Sequence, residues 1–502
     1  MIQKPIKEIN RRNFIKNISA ATAAIALSTA ISACATKRKK PNIVYILTDQ
    51  WRASAIGYAG DPNVRTPNID RLAQESYNFR NAVSVCPVCT PYRASLLTGR
   101  YPTSTGMFFN DLHLPPTEYC IGDALTEAGY KTAYIGKWHL DGHGRHVFIP
   151  PERRRGFEYW KVAECDHNYN HSHYYAGTSP EKLFWDGYDV YAQTKDAQQY
   201  ITDQAESGEP FALFVSYGTP HFPHHTAPEE LKALYPPEEL RLPVNVPESM
   251  KEQAAIEAQG YYAHCQALDD SIKDLLVTLD EAGLREDTIL VFTSDHGEML
   301  GSHGVRPKAK QVPLNESAGV PFLLRYPAIH GNEGKLIDLP INTPDIFPTL
   351  FGLAGLEIPG TIEGDDFSYV IRGGSEPENH AALYMQVAPW ERGEYGKEYR
   401  ALRTPGYTYV RALDGPWLLF DDVNDPFQMN NLVSRPEYAD ILKDLDNRLQ
   451  KLLVKIDDDF RPGKSYIDEW GLEPNDDGWI PYTMTGEGVE VQTPRRKTLY
   501  AI

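Results

Sequence analysis

Two apolar runs that each end in a carboxylate constrain the fold of this chain more than any other feature. Residues 42–47 read Asn-Ile-Val-Tyr-Ile-Leu and lead into Thr-Asp-Gln, while residues 288–293 read Thr-Ile-Leu-Val-Phe-Thr and lead into Ser-Asp-His. Both runs predict buried strands of an α/β sheet, and such sheets bind ligands at the carboxyl ends of their strands. The residues after the two strands are candidate ligands of a hard divalent cation: Asp49, Gln50, Asp295 and His296.

The length and the net charge of the chain limit the class of protein that it can be. A chain of 502 residues can form one large domain and a smaller one. Its hydrophobic content of 41% and charged content of 24% are ordinary for a globular protein. The net charge of −18 argues against a nucleic-acid partner. An anionic substrate therefore requires a local cluster of cations.

A cysteine-containing stretch carries the strongest functional signal. Residues 86–100 read Cys-Pro-Val-Cys-Thr-Pro-Tyr-Arg-Ala-Ser-Leu-Leu-Thr-Gly-Arg, and a short helix is predicted to stop at Gly99. Cysteines three apart suggest a redox pair or half of a zinc site. The sequence has no second such pair to complete a tetrahedral zinc site, and no thioredoxin-like unit surrounds this one.

This stretch resembles the signature of the type I sulfatases, Cys-x-Pro/Ala-x-Arg followed by Thr-Gly-Arg. The resemblance implies that Cys89 is oxidised to formylglycine, whose hydrate is the nucleophile, and that Arg93 helps to neutralise the sulfate of the substrate. A formylglycine-generating, sulfatase-maturing enzyme is then an obligatory partner. Tyr92 stands where many family members carry serine, a departure that bears on recognition by the maturing enzyme.

The same resemblance assigns a calcium centre. One Ca²⁺ is expected to be held by Asp49, Gln50, Asp295 and His296, with the formylglycine derived from Cys89 completing its shell. Imidazole is an uncommon calcium ligand, so His296 is expected either to bind the ion or to hydrogen-bond the sulfate.

Three further motifs match the family in order along the chain. Gly-Lys-Trp-His follows a predicted strand, so Lys137 is expected to bind sulfate and His139 to hydrogen-bond the aldehyde hydrate. His221 matches a histidine that contacts sulfate or protonates the leaving oxygen, whereas His224 and His225 are interpreted as surface residues. A sulfate-binding lysine is expected late in the chain, with Lys310 preferred and Lys308 as the alternative.

Substrate contacts are predicted from composition and from the family resemblance, since in such sulfatases the segment after the Gly-Lys-Trp-His motif often helps line the substrate pocket. The segment after Lys137 is rich in His, Arg and aromatic residues, which suits a sulfated sugar with further anionic groups; solvated loops are the alternative. The candidates are Arg145, Arg155 and His171, with Trp390 and Arg392 in a loop of the second domain.

The first residues indicate export. Basic residues precede an apolar stretch too short to span a bilayer. Residues 11–16 resemble a twin-arginine signal, with a general secretory signal as the alternative, and residues 31–34 resemble a lipobox that makes Cys34 the lipid-attachment site, with ordinary cleavage as the alternative. We expect a lipid-anchored protein of a bacterial envelope, periplasmic or surface-facing. The predicted organisation is a signal peptide (1–33), a basic tether (34–40), a catalytic domain (41–375) and a C-terminal subdomain with tail (376–502).

Together the motifs imply an alkaline-phosphatase-like α/β sandwich: a large mixed, mostly parallel sheet flanked by helices, plus a small C-terminal α+β subdomain with an antiparallel sheet. The implied activity is hydrolysis of sulfate esters on a sulfated polysaccharide or its oligosaccharides. The alternatives are a phosphonate monoester or phosphodiester hydrolase, a small aryl or choline sulfatase, and a lipid-anchored glycan-binding protein without catalysis.

Overall fold

The computed structural model describes residues 40–389, 396–475 and 480. Its strands are β1 (Asn42–Asp49), β2 (Tyr77–Phe79), β3 (Ala82–Val83), β4 (Lys131–Lys137), β5 (Tyr159–Ala163), β6 (His173–Ala176), β7 (Leu183–Phe184), β8 (Phe211–Pro220), β9 (Thr288–Ser294), β10 (Phe322–Arg325), β11 (Lys335–Ile337), β12 (Ile341–Asn342), β13 (Ala382–Gln386), β14 (Tyr399–Arg403), β15 (Tyr407–Ala412) and β16 (Gly415–Asp421). Its α-helices are α1 (Pro67–Gln74), α2 (Cys89–Thr98), α3 (Pro102–Thr105), α4 (Ile121–Glu127), α5 (Asp189–Ser207), α6 (Glu229–Lys232), α7 (Lys251–Glu281), α8 (Asn315–Ala318), α9 (Pro327–His330), α10 (Ile346–Ala354), α11 (Ser368–Ile371), α12 (Ala439–Lys455) and α13 (Gly463–Trp470).

A ten-stranded mixed sheet has the order β11-β2-β10-β9-β1-β8-β4-β5-β6-β7. The strands from β9 to β5 in this order are parallel to one another, and β10 runs antiparallel to β9. The two apolar runs are confirmed as neighbouring parallel strands, with Ile43 of β1 opposite Ile289 of β9. The carboxyl ends of β9, β1, β8 and β4 therefore lie side by side.

Helices cover both faces of this sheet, which explains why the middle residues of β1 and β9 are consecutively apolar. Every residue of β1 is buried. Ile43, Tyr45 and Leu47 belong to one hydrophobic core with residues of α2 and α10, whereas Val44 and Ile46 belong to a second core with residues of α5 and α7. A strand buried on both faces has no polar alternation, so the predicted sandwich is confirmed.

The predicted small antiparallel sheet is also confirmed, in the order β13-β14-β15-β16. Its first strand lies beside the segment that follows β3, since the N–H of Met385 donates to Val85 O at 2.8 Å. The spacing of the leucines in residues 438–456 predicts an amphipathic helix, and the structure has α12 there, which buries Leu445 and Leu449. The domain boundary after residue 375 stays a prediction.

Several predictions fall outside the described residues, namely the signal segment, Cys34, Trp390 and Arg392. Within the described ranges, none of the helices is both long enough and apolar enough to cross a bilayer. Residues beyond 460, which carried no assignment from sequence, include α13, whose Trp470 is buried.

Candidate active site

Four adjacent strands place polar side chains at one edge of the large sheet. Asp49 is the last residue of β1 and Lys137 the last of β4, while His221 directly follows β8 and Asp295 directly follows β9. All four side chains are buried. The convergence that sequence spacing alone does not show is therefore present in the structure.

Cys89 lies at the centre of this group, as the first residue of α2. Its Sγ is 3.2 Å from His296 Nε2, 3.5 Å from Lys310 Nζ, 3.7 Å from Asp49 Oδ1 and 3.8 Å from Lys137 Nζ. The amino end of a helix carries partial positive charge, which favours an anion at this position. Burial, together with the charge of Asp49, raises the pKa of the Cys89 thiol to about 12, so the unmodified thiol is protonated at neutral pH.

Arg93, one turn further along α2, holds the two carboxylates together. Its Nη2 donates to Asp49 Oδ2 and to Asp295 Oδ2, each at 3.1 Å. Its Nη1 donates to Lys137 O and to Ser216 Oγ, each at 2.8 Å. Lys137 Nζ adds a further contact to Asp49 Oδ2 at 2.7 Å. Ser216 belongs to an apolar strand and carries no sequence signal of a polar role.

The structure separates the two candidate lysines. Lys310 is buried, and its Nζ lies 3.3 Å from His221 Nε2 as well as 3.5 Å from Cys89 Sγ. The side chain of Lys308 is 36% exposed, and its Nζ pairs with Glu257 Oε1 at 2.7 Å. Lys310 is thus the residue that the fold brings to Cys89.

The buried charges of the site leave a positive excess. Burial raises the pKa of Asp295 to about 7, and the negative charge of Asp49 adds to that rise. Burial also acts to raise the pKa of Asp49, but the positive charges of Lys137 and Arg93 hold it well below its usual range. With both carboxylates ionised, three cations (these two and Lys310) face two anions.

The predicted metal ligands form one cluster. Ligand atoms of Asp49, Cys89, Asp295 and His296 lie within 4.8 Å of one another. His296 Nδ1 donates to Gly297 O at 3.0 Å, which leaves Nε2 with its lone pair facing the cluster. Arg93 holds the two carboxylates side by side, so their oxygens are positioned as donors to a hard cation. The donor set fits a hard cation such as Ca²⁺.

Gln50, the remaining predicted ligand, borders the same cluster. Its Oε1 is 3.3 Å from Lys310 Nζ, and its amide nitrogen donates to Glu298. Glu298 is fully buried and also accepts from the backbone N–H groups of Leu300 (3.0 Å) and Lys308 (2.6 Å). Sequence reasoning missed Glu298, although the unbroken polar run after β9 was a usable signal.

His139 is oriented by a residue that sequence reasoning missed. Its Nε2 is 2.8 Å from Asp111 Oδ1, and among the described residues its buried Nδ1 has no hydrogen-bond partner. Arg145 donates to both oxygens of Asp111, at 3.2 and 3.0 Å. Arg145, which was predicted as a substrate contact, pairs with Asp111 beside His139, and a contact between Arg145 and the substrate stays a prediction. No local pattern marks Asp111, which lies in a loop 28 residues before His139.

The His221 ring is fixed on two sides. Its Nδ1 is 2.7 Å from Phe222 O, and its ring stacks on His167 with centroids 4.5 Å apart. The prediction that His224 lies on the surface is wrong, since it is only 1% exposed, whereas His225 is exposed. The sequence contains no feature that distinguishes these neighbouring histidines.

Two further predicted substrate contacts have other partners. Arg155 pairs with Asp123 of α4 at 3.4 Å, and His171 is exposed and stacks on Phe184 of β7 with centroids 4.3 Å apart. Within the described residues, the structure does not bring Arg155 or His171 into contact with the group around Cys89.

Comparison with known proteins agrees with this geometry. The family described as Sulfatase matches residues 41–356, and the family described as N-sulphoglucosamine sulphohydrolase, C-terminal, matches residues 301–455. An ulvan-active sulfatase of Formosa agariphila is 50% identical over 91% of this chain and 89% of its own length. An endo-4-O-sulfatase of Bacteroides thetaiotaomicron is 30% identical over 84% and 94%.

Solved structures show the same architecture. The yidJ protein of Bacteroides fragilis superposes with a TM-score of 0.76 at 31% identity, covering 86% of this chain and 98% of its own. A phosphonate monoester hydrolase of Silicibacter pomeroyi shares the fold at a TM-score of 0.69 and 21% identity, covering 88% and 98%. The chain belongs to the sulfatase family and is an enzyme that hydrolyses sulfate esters.

Proposed function

We propose that this enzyme removes sulfate groups from a sulfated polysaccharide or its oligosaccharides, using formylglycine at position 89 and one calcium ion. The observation that supports this most directly is the charge around Cys89 Sγ. The ammonium groups of Lys137 and Lys310 lie within 3.8 Å of that atom, and the guanidinium of Arg93 neutralises the carboxylates beside it. Preorganised cations in a buried site stabilise an anion far more than the same groups do in water.

Cys89 Sγ marks the position where the reacting oxygens of a matured residue would lie. A hydrated aldehyde there supplies one hydroxyl that attacks sulfur and a second that allows sulfate to be eliminated. The residue is 1% exposed, so the surrounding side chains rather than bulk water set its hydrogen bonds. The buried cations neutralise the charge of the incoming ester.

The residues that would hold calcium are Asp49, Gln50, Asp295 and His296. When bound, the ion adds positive charge beside the reacting group and acts as a Lewis acid on it. Arg93 already bridges the two carboxylates at 3.1 Å each. That contact keeps the two anionic ligands adjacent.

Two histidines are placed to move protons. In His139 the Nε2 atom faces Asp111, which leaves Nδ1 as the atom that can accept a proton from the matured residue. In His221 the Nδ1 atom faces a backbone carbonyl, so Nε2, which lies 3.3 Å from Lys310 Nζ, is the atom that would exchange a proton with the leaving oxygen. General acid and base groups of this kind contribute about 10²–10⁴-fold to rate.

The substrate class follows from the relatives and from the first residues of the chain. Since one relative at 50% identity is an ulvan-active sulfatase, ulvan is the first polymer to test. The signal-like residues 1–33 and the lipobox before Cys34 support export and lipid anchoring in a bacterial envelope, where a polymer-degrading enzyme meets its substrate.

The test compares sulfate release from ulvan and a panel of sulfated glycans by wild type and by Cys89→Ala, both produced with a formylglycine-generating enzyme. We expect release by wild type only, with an aldehyde detected by mass spectrometry at residue 89. A thiol at this position in active enzyme would refute the proposed chemistry. Faster turnover of matched phosphonate or phosphodiester substrates would favour the alternative hydrolase. Lipid on Cys34 in the membrane fraction tests the anchor.

A further inference from the structure

A second group of metal-binding side chains lies outside the group around Cys89. It consists of His146, in the loop after β4, Asp166, in the loop after β5, and His173, the first residue of β6. Their ligand atoms lie within 4.8 Å of one another. The two Nδ1 atoms are 3.3 Å apart, and His173 Nδ1 is 2.5 Å from Asp166 Oδ2. None of the proposed catalytic steps uses these residues.

Backbone contacts hold the three donors in place. Asp166 Oδ1 accepts from the N–H of Asn168 at 2.9 Å, and Asp166 Oδ2 accepts from the N–H of His173 at 3.0 Å. The loop that carries His146 is tied to β6, because Tyr175 OH donates to His146 O at 2.7 Å. The positions of all three side chains are therefore set by the fold, as a metal site requires.

Hydrogen bonds within the cluster do not satisfy all three of its potential metal-ligating atoms. One proton on His173 Nδ1 satisfies the carboxylate at 2.5 Å, but His146 Nδ1 lies 3.3 Å from the same nitrogen. A single proton cannot make two good hydrogen bonds in different directions. A cation that accepts an electron pair from each of the three atoms satisfies them all.

The donor set selects the kind of metal. Two imidazole nitrogens with one carboxylate oxygen and an open fourth position form a typical zinc site, whereas calcium takes oxygen ligands. Tetrahedral ligands at about 2.0 Å from zinc lie about 3.3 Å apart, which the two histidines already match. The contact between His173 and Asp166 must widen by about 0.8 Å on binding. His146 is exposed, so water can take the fourth position.

A third cluster, formed by His113, Asp141 and His143, is a weaker candidate for a structural reason. Its carboxylate is already engaged, because Arg153 Nε donates to Asp141 Oδ1 at 2.6 Å. No arginine or lysine forms an ion pair with Asp166 among the described residues.

We propose that His146, Asp166 and His173 form a zinc site that fastens the loop after β4 and the loop after β5 to β6. The proposed zinc site is connected to the active site through one residue. His167 directly follows Asp166 in the sequence, and its ring stacks on the ring of His221. Occupancy of the site would therefore stabilise the segment that supports the His221 ring. The site does not depend on the aldehyde at residue 89 or on calcium.

The experiment titrates the full enzyme, stripped of transition metals and kept in excess Ca²⁺, with Zn²⁺ by calorimetry and with Co²⁺ by visible absorption. We expect one site with the intense bands of four-coordinate cobalt in wild type and in His171→Ala, a control from the same segment. His146→Ala and the nearly isosteric Asp166→Asn should each bind at least about tenfold more weakly. His296→Ala should keep this site, which distinguishes it from the cluster around Cys89.

A second readout is thermal unfolding. Zinc should raise the Tm of wild type and of His171→Ala but leave that of Asp166→Asn unchanged, because a ligand stabilises only a fold that binds it. The inference is overturned if wild type binds no zinc in excess Ca²⁺, or if Asp166→Asn and His146→Ala bind it as tightly as wild type. Either result would reduce the cluster to an Asp–His hydrogen bond beside an unrelated histidine.

Discussion

Two lysines that are two residues apart give the sharpest test of the catalytic assignment. We expect Lys310→Ala to lower kcat/KM for sulfate-ester hydrolysis by about 10²–10³-fold, because its ammonium lies 3.5 Å from Cys89 Sγ inside the buried site. Lys308→Ala should change kcat/KM by less than about fivefold, because its partly exposed pair with Glu257 contributes at most about 1 kcal/mol.

The magnitude follows from electrostatics. A unit charge about 4 Å from another contributes about 4 kcal/mol at an effective dielectric constant of about 20, and each 1.4 kcal/mol is about a factor of ten in rate. That sets a loss of about 10³-fold for complete removal of the ammonium. Lys137 remains 3.8 Å from the same atom and offsets part of the loss, so the expected range extends down to about 10²-fold.

The assay is initial-rate kinetics on a defined sulfated oligosaccharide, with kcat and KM determined separately and Tm measured for each variant. Lys310→Arg, which keeps the charge, should recover part of the lost rate. A loss below about tenfold for Lys310→Ala, or equal losses for the two alanine variants with unchanged Tm, would refute the assignment.

Three other perturbations address different parts of the molecule. Asp111→Asn removes the carboxylate that orients His139, so kcat should fall by about 10–100-fold with an altered pH–rate profile; an unchanged profile would contradict the orienting role. Arg400→Met leaves the carboxylate of Asp458 buried without its partner at 2.5 Å and should cost about 3–5 kcal/mol of unfolding free energy in denaturant titration, whereas a cost below about 1 kcal/mol would be the contrary result. Removing calcium with a chelator should abolish activity and lower Tm, and Ca²⁺ but not Mg²⁺ should restore both; full activity in chelator would exclude a required metal.

Sequence alone could predict the strands and helices whose patterns are complete within a short segment. β1 and β9 were recognisable because both of their faces are buried, which makes the middle residues of each run consecutively apolar. The leucine stripe of α12 identified that helix in the same way. By contrast, β7 has two residues and β6 four, too few for a period to be visible. The helix α13 could not be predicted from sequence, because proline and glycine residues surround it.

The residues of the candidate site also differ in whether a short segment of sequence is enough to predict them. A local motif contains each of Cys89, Lys137 and His221, so the neighbouring residues in the sequence are enough to predict a functional role for them. Asp111 acts only through its contact with His139 across the fold, and nothing near it in the sequence records that contact. The role of Arg145 was interpreted from the basic composition of its segment. Composition predicts positive charge near a site, but it does not predict that Arg145 forms an ion pair with Asp111.

The protein as a whole is negatively charged, whereas the site around Cys89 is positively charged. Measuring activity at different ionic strengths can distinguish the effects of these two charges on substrate binding. Residues 1–33 carry five basic and one acidic side chain, so removing them lowers the net charge from −18 to −22. A polyanionic substrate is therefore repelled at long range and attracted only near the buried cations. Salt screens charges beyond about 10 Å at 0.1 M while affecting buried pairs much less. Raising salt from about 0.01 to 0.1 M should then increase kcat/KM on a sulfated polymer but hardly change it on a small monosulfate ester. A steady fall with salt on the polymer would instead show that basic surface groups guide the chain to the site.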